Sequence, residues 1–473
     1  LSRLYGVLAV AMAAAIPWGW DSPNHGGAAG LATGAMVAVG LALGLGFIGR
    51  RAELTVRLRD ALVVVTLGWL SAGCLGAIPY VVTGAIPAVH DAIFETISGF
   101  TTTGSTILTD IEGLPRGLHF WRITTQWLGG LGIVVLFVAL FPQLGVGAKH
   151  LFKSEVPGPI TEGLRPKIKQ TAMALWWIYV AITGFEALLL WLAGLDVFDA
   201  LLHAMSTMAT GGFSTRAGSI AAFQSPLVEW IICLFMYLAG VNFALHYAAL
   251  GGRFNVFVRD GEWRVYTAIL VGCCLVVTVL LLPGLGGDFE SALRKATFQV
   301  LALGTGTGFT TVDYDAWPVL AKVILMGLMF IGGSAGSTAG GMKVSRIMVL
   351  LKCAVIELAH TVRPHAVRVV KIGRSAVRDD VLKQIMAFAV LFVCTVLFCT
   401  LWLSALGMDL VTSFTASLSC VANVGPAYAE VGPTLNFAVI PPSGKVLLSI
   451  GMILGRLEFL TVLALLLPST WRR

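Results

Sequence analysis

Charge is what this chain has least of. Asp, Glu, Lys and Arg together make 12% of its 473 residues, against about 25% in soluble domains. So few charges cannot clothe a water-facing surface, which excludes an ordinary soluble domain and indicates a membrane protein. Cysteine pairing is missing too. The eight cysteines include no CxxC, and most lie in apolar runs such as Cys273-Cys274 and around Cys394. That excludes a disulfide or zinc framework and predicts cysteines that act as small buried hydrophobes. Nucleophile–base pairs and metal-ligand clusters are also lacking, so an intramembrane enzyme has no residues to work with. The net charge of +7 does not signal nucleic acid. The basic residues gather in loops between apolar runs, where the positive-inside rule puts them.

What is present is apolar sequence in span-length blocks. Hydrophobic residues make 57% of the chain and the mean hydropathy is +0.86. A helix crossing a bilayer needs about 20 apolar residues. Spans are expected near 3–20, 29–49, 61–82, 118–142, 171–194, 226–250, 265–283, 317–351, 381–406 and 444–467. Leu4–Trp18 could pass for a signal segment, but no small-residue cleavage site ends it, so it reads as a retained first span. Basic residues mark one set of loops: Arg50 to Arg59, Lys149 to Lys169, Arg253 with Arg259 and Arg264, Arg363 to Arg378, and the terminal Arg472-Arg473. Asp110, Glu112, Asp313, Asp315 and Glu430 lie in the opposite set. Placing the basic loops in the cytosol puts both termini there.

Four small, glycine-containing turns organise the rest. They are Thr101 to Thr106, Ala209 to Thr215, Gly304 to Thr311 and Ala422 to Ala427. Each follows a run too short to span: 90–100, 197–208, 290–303 and 410–421. The turn glycines Gly104, Gly212, Gly308 and Gly425 are 108, 96 and 117 residues apart, the length of one span, half helix, turn and returning span. The expected fold is an all-α integral membrane protein. Four parallel span–half-helix–filter–span repeats surround a pseudo-fourfold pore, with two extra N-terminal spans. The divisions fall at 1–50 for the extra spans, then 51–150, 151–253, 254–362 and 363–473 for the repeats. Non-helical backbone at membrane depth is tolerated only where it lines a cavity or is buried in protein. Carbonyl oxygens on such turns can replace the water shell of a monovalent cation. Glycine permits the backbone geometry needed to aim them. The C-terminal end of each half helix, partly negative, favours a cation. The turns carry no carboxylate ring of the kind a divalent site would want.

The phrases Thr-Thr-Thr-Gly at 101–104, Gly-Gly-Phe-Ser-Thr at 211–215, Thr-Gly-Phe-Thr-Thr-Val-Asp-Tyr at 307–314 and Asn-Val-Gly-Pro at 423–426 resemble the four filter segments of the Trk/Ktr/HKT superfamily of potassium transporters. So do Gln126-Trp-Leu-Gly-Gly-Leu-Gly-Ile, the glycine-rich run Ile331 to Val344, and Gly455-Arg-Leu-Glu-Phe. The likeness covers nearly the whole chain. The two extra N-terminal spans match the bacterial TrkH branch. It implies potassium uptake across a bacterial inner membrane, with K⁺ bound by Thr102, Thr103, Gly104, Thr210, Gly211, Gly212, Gly306, Thr307, Gly308, Asn423, Val424 and Gly425. One departure is Gly306-Thr307-Gly308, where relatives often carry Thr-Ala-Gly. No covalent cofactor and no transition-metal site are implied. The implied partners are the K⁺ ion, the lipid bilayer, a second copy in a homodimer and a cytosolic nucleotide-binding regulatory subunit of the TrkA type. The basic loops 149–169 and 363–378 offer a docking surface for that subunit.

Gly332, Gly333, Gly336, Gly340, Gly341 and Lys343 interrupt the eighth span. Met342 breaks any GxxxxGK[ST] phosphate loop, and no strand precedes it. Small-residue helix packing is one alternative. The resemblance favours a broken helix whose middle lies under the filter as a gate. Gly304-x-Gly306-x-Gly308 lacks the spacing of a dinucleotide fingerprint. Arg456 sits inside the last span, where a charge is costly and functional by default. The resemblance puts it just below the filter as a positive barrier to cations. A pair with Glu458 is the structural alternative. Glu95, Glu186, Glu229 and His203 are expected in ordinary solvated or capping roles. Asn242 and His246 are expected on one helix face in a buried polar contact. The competing functional class is a coupled secondary transporter, Na⁺- or H⁺-linked symport of another monovalent cation or small solute. Its inverted repeats and midplane carboxylates have no counterpart in this pattern.

Overall fold

The computed structural model describes residues 1–20, 26–51, 58–132, 168–362, 369–372 and 375–471. Most of the basic loop 149–169, the first return span beyond 132, residues 363–368 and Arg472-Arg473 lie outside them.

Almost every described element is a helix. The exception is a two-residue antiparallel pairing of Lys371–Ile372 with Ser375–Ala376. Among the described residues, five helices are long and apolar enough to cross a membrane: Gly27–Ile48, Leu62–Thr83, Ala172–Leu192, Gly261–Leu281 and Asp379–Ala405. The second of the chain's helices carries Gly30-Leu-Ala-Thr-Gly34, and Cβ atoms at either glycine would press on Pro79 or Thr83 of the third. Without water to drive association, helices in lipid gain from such close backbone approach.

The four half helices are Val89–Phe100, Val197–Met208, Phe289–Gly304 and Leu410–Ala422, within one residue of the expected runs. Each packs along the long helix that precedes it in the chain. Three begin on an aspartate whose side chain accepts a backbone N–H of the first turn: Asp196, Asp288 and Asp409. Such caps satisfy donors that a short helix leaves open. Hydrogen bonding from Thr412 and Val411 holds the Asp409 carboxyl below its ordinary range, and bonding from Ser291 does the same for Asp288.

The returning spans depart from the expected straight rods. The second breaks by 97° between Pro226–Ala239 and Phe243–Leu250. The fourth breaks by 110° between Pro442–Leu457 and Phe459–Leu466. The third is two helices, Val319–Ile331 and Val344–Val362, joined by the glycine-rich run. The first is disturbed at Leu128–Gly132, where Gly130 leaves helical geometry. Among the described residues, five helices are unbroken at membrane-crossing length, or seven if each bent pair is one span, and the rest of the expected span 118–142 lies outside them beyond 132. Hydropathy reads composition and cannot see a break at Gly240 or Glu458, because the residues on both sides remain apolar.

Candidate ion pathway

The four turns share one backbone. Thr102, Thr210, Gly306 and Asn423 have φ of 54°, 53°, 73° and 54°. Two residues on, Gly104, Gly212, Gly308 and Gly425 have φ of 84°, 78°, 76° and 105°. The residue between is never left-handed. Holding a non-glycine residue in this region costs roughly 1–2 kcal/mol, so the surroundings must enforce it. They do so partly through the end of each half helix. Thr103, Gly211 and Val424 donate their N–H to the carbonyls of Ser98, Ser206 and Ser419 at 2.9, 2.9 and 3.0 Å. Gly306 takes the left-handed position without that cost, which accounts physically for the departure noted above.

The glycines also meet one another's neighbours in order. A Cβ on Gly104 would overlap the Gly211 carbonyl, one on Gly212 that of Thr307, and one on Gly308 that of Val424. One on Gly425 would meet the Thr103 oxygen at 2.6 Å. The turns therefore form a closed ring in chain order. All twelve residues expected to bind the ion lie in these turns.

Polar side chains behind the ring were not foreseen as such. Glu95, expected to be solvated, is buried, and its Oε1 lies 2.7 Å from Arg122 Nε with side-chain exposures of 0% and 1%. Glu95 also accepts from Thr106 Oγ1 at 2.9 Å and Ile107 N at 2.9 Å. Arg122 donates to the Ser214 carbonyl at 3.0 Å, and its guanidinium centre is 3.6 Å from the Phe213 ring centroid. One ion pair thus joins the outer ends of the first and second turns. His203, nine residues before its turn glycine as Glu95 is, donates from Nδ1 to the Asp199 carbonyl, and its Nε2 faces Ser214 Oγ at 2.9 Å. Gln299, at the same offset, donates to Thr311 Oγ1 at 3.2 Å. Glu186 is fully buried and Glu229 pairs with Arg294 at 2.7 Å, so none of the four residues is simply solvated. The offset of nine, shared by three of the four turns (the fourth has Ala416 there), was the signal in the sequence that could have found these braces. Above the turns lies a cavity of about 130 Å³, lined among others by Ser105, Thr106, Arg122, Phe213 and Pro426.

Beneath the ring runs the loop Gly332–Lys343. Gly332, Gly336, Gly341 and Lys343 all have positive φ. Gly341 N donates to the Ala422 carbonyl at 2.7 Å, and a Cβ on Gly340 would overlap that oxygen. Thr338 Oγ1 reaches the carbonyls of Met208 and Ala239 at 3.1 and 3.2 Å. Ser334 N donates to the Gly240 carbonyl at 3.0 Å, and Phe243 N to that of Gly336 at 3.0 Å. A Cβ on Gly333 would press on Ala339. Lys343 folds back onto the Ala339 carbonyl. Glu262 Oε1 accepts from Ala335 N at 2.7 Å and Ser345 N at 3.0 Å, holding both rims of the loop.

Arg456 lies in the last turn of Pro442–Leu457, just before the break that divides the last span. It donates to the carbonyls of Thr338 at 2.8 Å and Gly129 at 2.9 Å. It therefore ties the loop to the first returning helix. Glu458 pairs with Arg346 instead. Asn242 is the cap of Phe243–Leu250, accepting from Ala244 N, so it does not share a helix face with His246. His246 Nε2 lies 3.0 Å from the Leu238 carbonyl.

Helices of membrane-crossing length and composition, with four half helices ending on a ring of turns, define a multi-pass membrane protein. The chain belongs to the TrkH family, described as cation transport protein, which matches residues 31–471. It is 38% identical over 440 residues to the Trk system potassium uptake protein TrkH of Salmonella typhimurium (strain LT2), covering 92% of this chain and 91% of that one. It is 39% identical over 442 residues to the protein of the same name from Escherichia coli (strain K12), with the same coverages. Its fold matches the crystal structure of the potassium transporter TrkH from Vibrio parahaemolyticus with a TM-score of 0.89 and 35% identity. That match spans 100% of this chain and 98% of that one.

Proposed function

We propose that the chain takes up potassium across a bacterial inner membrane, as the names of its relatives say of them. K⁺ passes through a filter built from the four turns, which are parts of four parallel repeats about a pseudo-fourfold axis. The first two spans stand outside the repeats, whose divisions fall near 51, 151, 254 and 363. Both termini are cytosolic. The observation that carries this reading is the ring. Four turns of different sequence adopt the same left-handed positions and close on one another through glycine-to-carbonyl contacts. Such backbone is tolerated at membrane depth where it lines a polar path or is buried in protein, and carbonyls arranged in a ring suit the first.

The loop Gly332–Lys343 is the gate and Arg456 its latch and positive barrier. A homodimer is the working assembly, and a cytosolic nucleotide-binding subunit of the TrkA type controls the gate through the basic loops. Uptake of radioactive rubidium into proteoliposomes, with competition by K⁺, Na⁺ and Li⁺, tests the function. Saturable uptake blocked by K⁺ and weakly by Na⁺ is expected. Uptake that requires an imposed proton or sodium gradient makes the protein a coupled transporter, and indifference to K⁺ sinks the reading.

A further inference from the structure

The four turns are not all braced alike. In the first, the Thr101 hydroxyl donates to the Ile97 carbonyl at 2.7 Å, so Thr103 donates to Thr101 across 2.7 Å. The third repeats this: Thr305 donates to Leu301 at 2.7 Å, and Thr307 bonds Thr305 at 2.7 Å. These two turns stand opposite each other in the ring and each carries this internal pair, to which the first adds a bond from Asn423 Nδ2 to Thr103 Oγ1 at 3.0 Å. The second turn has Ala209 and Gly211 at the matching positions, so it has no such pair.

Its brace comes from outside. Gln126, on the helix that follows the first turn, is fully buried. Its Nε2 donates to the Gly211 carbonyl at 2.6 Å, and its Oε1 accepts from Ser206 Oγ at 2.9 Å and Phe213 N at 3.2 Å. A backbone N–H can only donate, which fixes the amide orientation. A side chain on residue 211 would overlap this amide, so glycine at 211 and glutamine at 126 occupy one space between them.

We propose that Gln126 is a positioning residue that sets ion discrimination at the second turn, a conclusion that rests on the filter reading above. Gly211-Gly212 is the only pair of adjacent glycines in the four turns and so has the greatest intrinsic backbone freedom. Unclamped, its carbonyls can close inward around a smaller ion and repay the dehydration of Na⁺. Clamped, the Gly211 carbonyl keeps one radius, suited to the larger ion.

Gln126→Met keeps the volume and removes both the donor and the acceptor. The expected result is a monodisperse protein whose rubidium uptake is retained. Its sodium uptake rises, so that the K⁺/Na⁺ preference falls roughly 3- to 10-fold, the worth of one hydrogen bond. The triple variant Gln126→Ala/Ala209→Thr/Gly211→Thr installs the self-bracing pair of the first and third turns and should regain the preference. An unchanged K⁺/Na⁺ ratio in Gln126→Met overturns the proposal, as does equal loss of every cation flux from a folded protein. If Gln126→Met does not fold, the triple variant decides: wild-type discrimination supports the clamp, and poor discrimination overturns it. Failure of the filter reading shows differently, as a wild-type protein that does not prefer K⁺.

Discussion

Glu95 and Arg122 pose the sharpest energetic problem at the scale of single residues. Two opposite charges are fully enclosed beside the ring, and each also bonds the backbone just outside a turn. Removing one partner of a buried pair leaves the other uncompensated and costs about 3–5 kcal/mol. Glu95→Ala is therefore expected to lower the thermal midpoint in detergent sharply, and Glu95→Ala/Arg122→Met to recover much of it. Equal midpoints for single and double variants would show that the charges do not depend on each other. Arg456 makes the opposite kind of prediction. It holds the loop at Thr338 and presents a charge below the ring. Arg456→Ala should raise rubidium flux several-fold, whereas lost transport in a well-folded variant would assign it a purely structural role. Arg456 was conspicuous as a charge in apolar sequence, whereas Arg122 was not singled out. Glu95 and His203 were not conspicuous, because an acid or histidine near the end of a short helix usually faces water.

At the scale of elements, the loop Gly332–Lys343 matters most. A run with four left-handed residues and no helix of its own keeps its shape only through partners. Those partners are helix ends: the Met208, Ala239 and Ala422 carbonyls and the Glu262 carboxylate. Glu262→Ala frees both rims together, so it should raise flux without altering the K⁺/Na⁺ ratio. A changed ratio with unchanged flux would place Glu262 in support of the filter instead. Shortening the loop should likewise raise flux, and unchanged flux would remove it from gating. The glycine run was plain in the sequence, as was its interruption of a span. Its anchors were not, since they come from four separate helices. The breaks at Gly240 and Glu458, one next to that loop and one next to Arg456, were missed for a different reason. Each leaves apolar residues on either side.

The ring belongs to the scale of the whole molecule, because each turn is closed by the next and the fourth by the first. Such a ring should be most stable with an ion inside it. Ligand binding adds RT ln(1 + [L]/Kd), about 2.7 kcal/mol at one hundred times Kd. Replacing K⁺ by a large organic cation should therefore lower the thermal midpoint, and restoring K⁺ should recover it. A midpoint indifferent to K⁺ would argue that the filter is empty or rigid without it. The ring is also uneven. Two turns carry internal threonine pairs and a third leans on Gln126. The fourth is tied by Ser105 and Ser419 to the Gly425 carbonyl.

The amino-acid sequence alone determined the membrane setting, the four half helices and the turns at their ends. Hydropathy, helix length and glycine are local quantities, and each can be read within about twenty residues. Tertiary structure alone decided which carbonyl each turn glycine faces, what braces each turn and where the returning spans break. Those depend on groups far apart in the chain, as Asn423 and Thr103 are at 320 residues. In a medium without water, every polar group at depth must find its partner in the protein. Which partner it finds is set by packing, and no local pattern records it. The opening turn of Thr102, Thr103 and Gly104 is legible as a turn; only the ring makes it one quarter of a closed set of four.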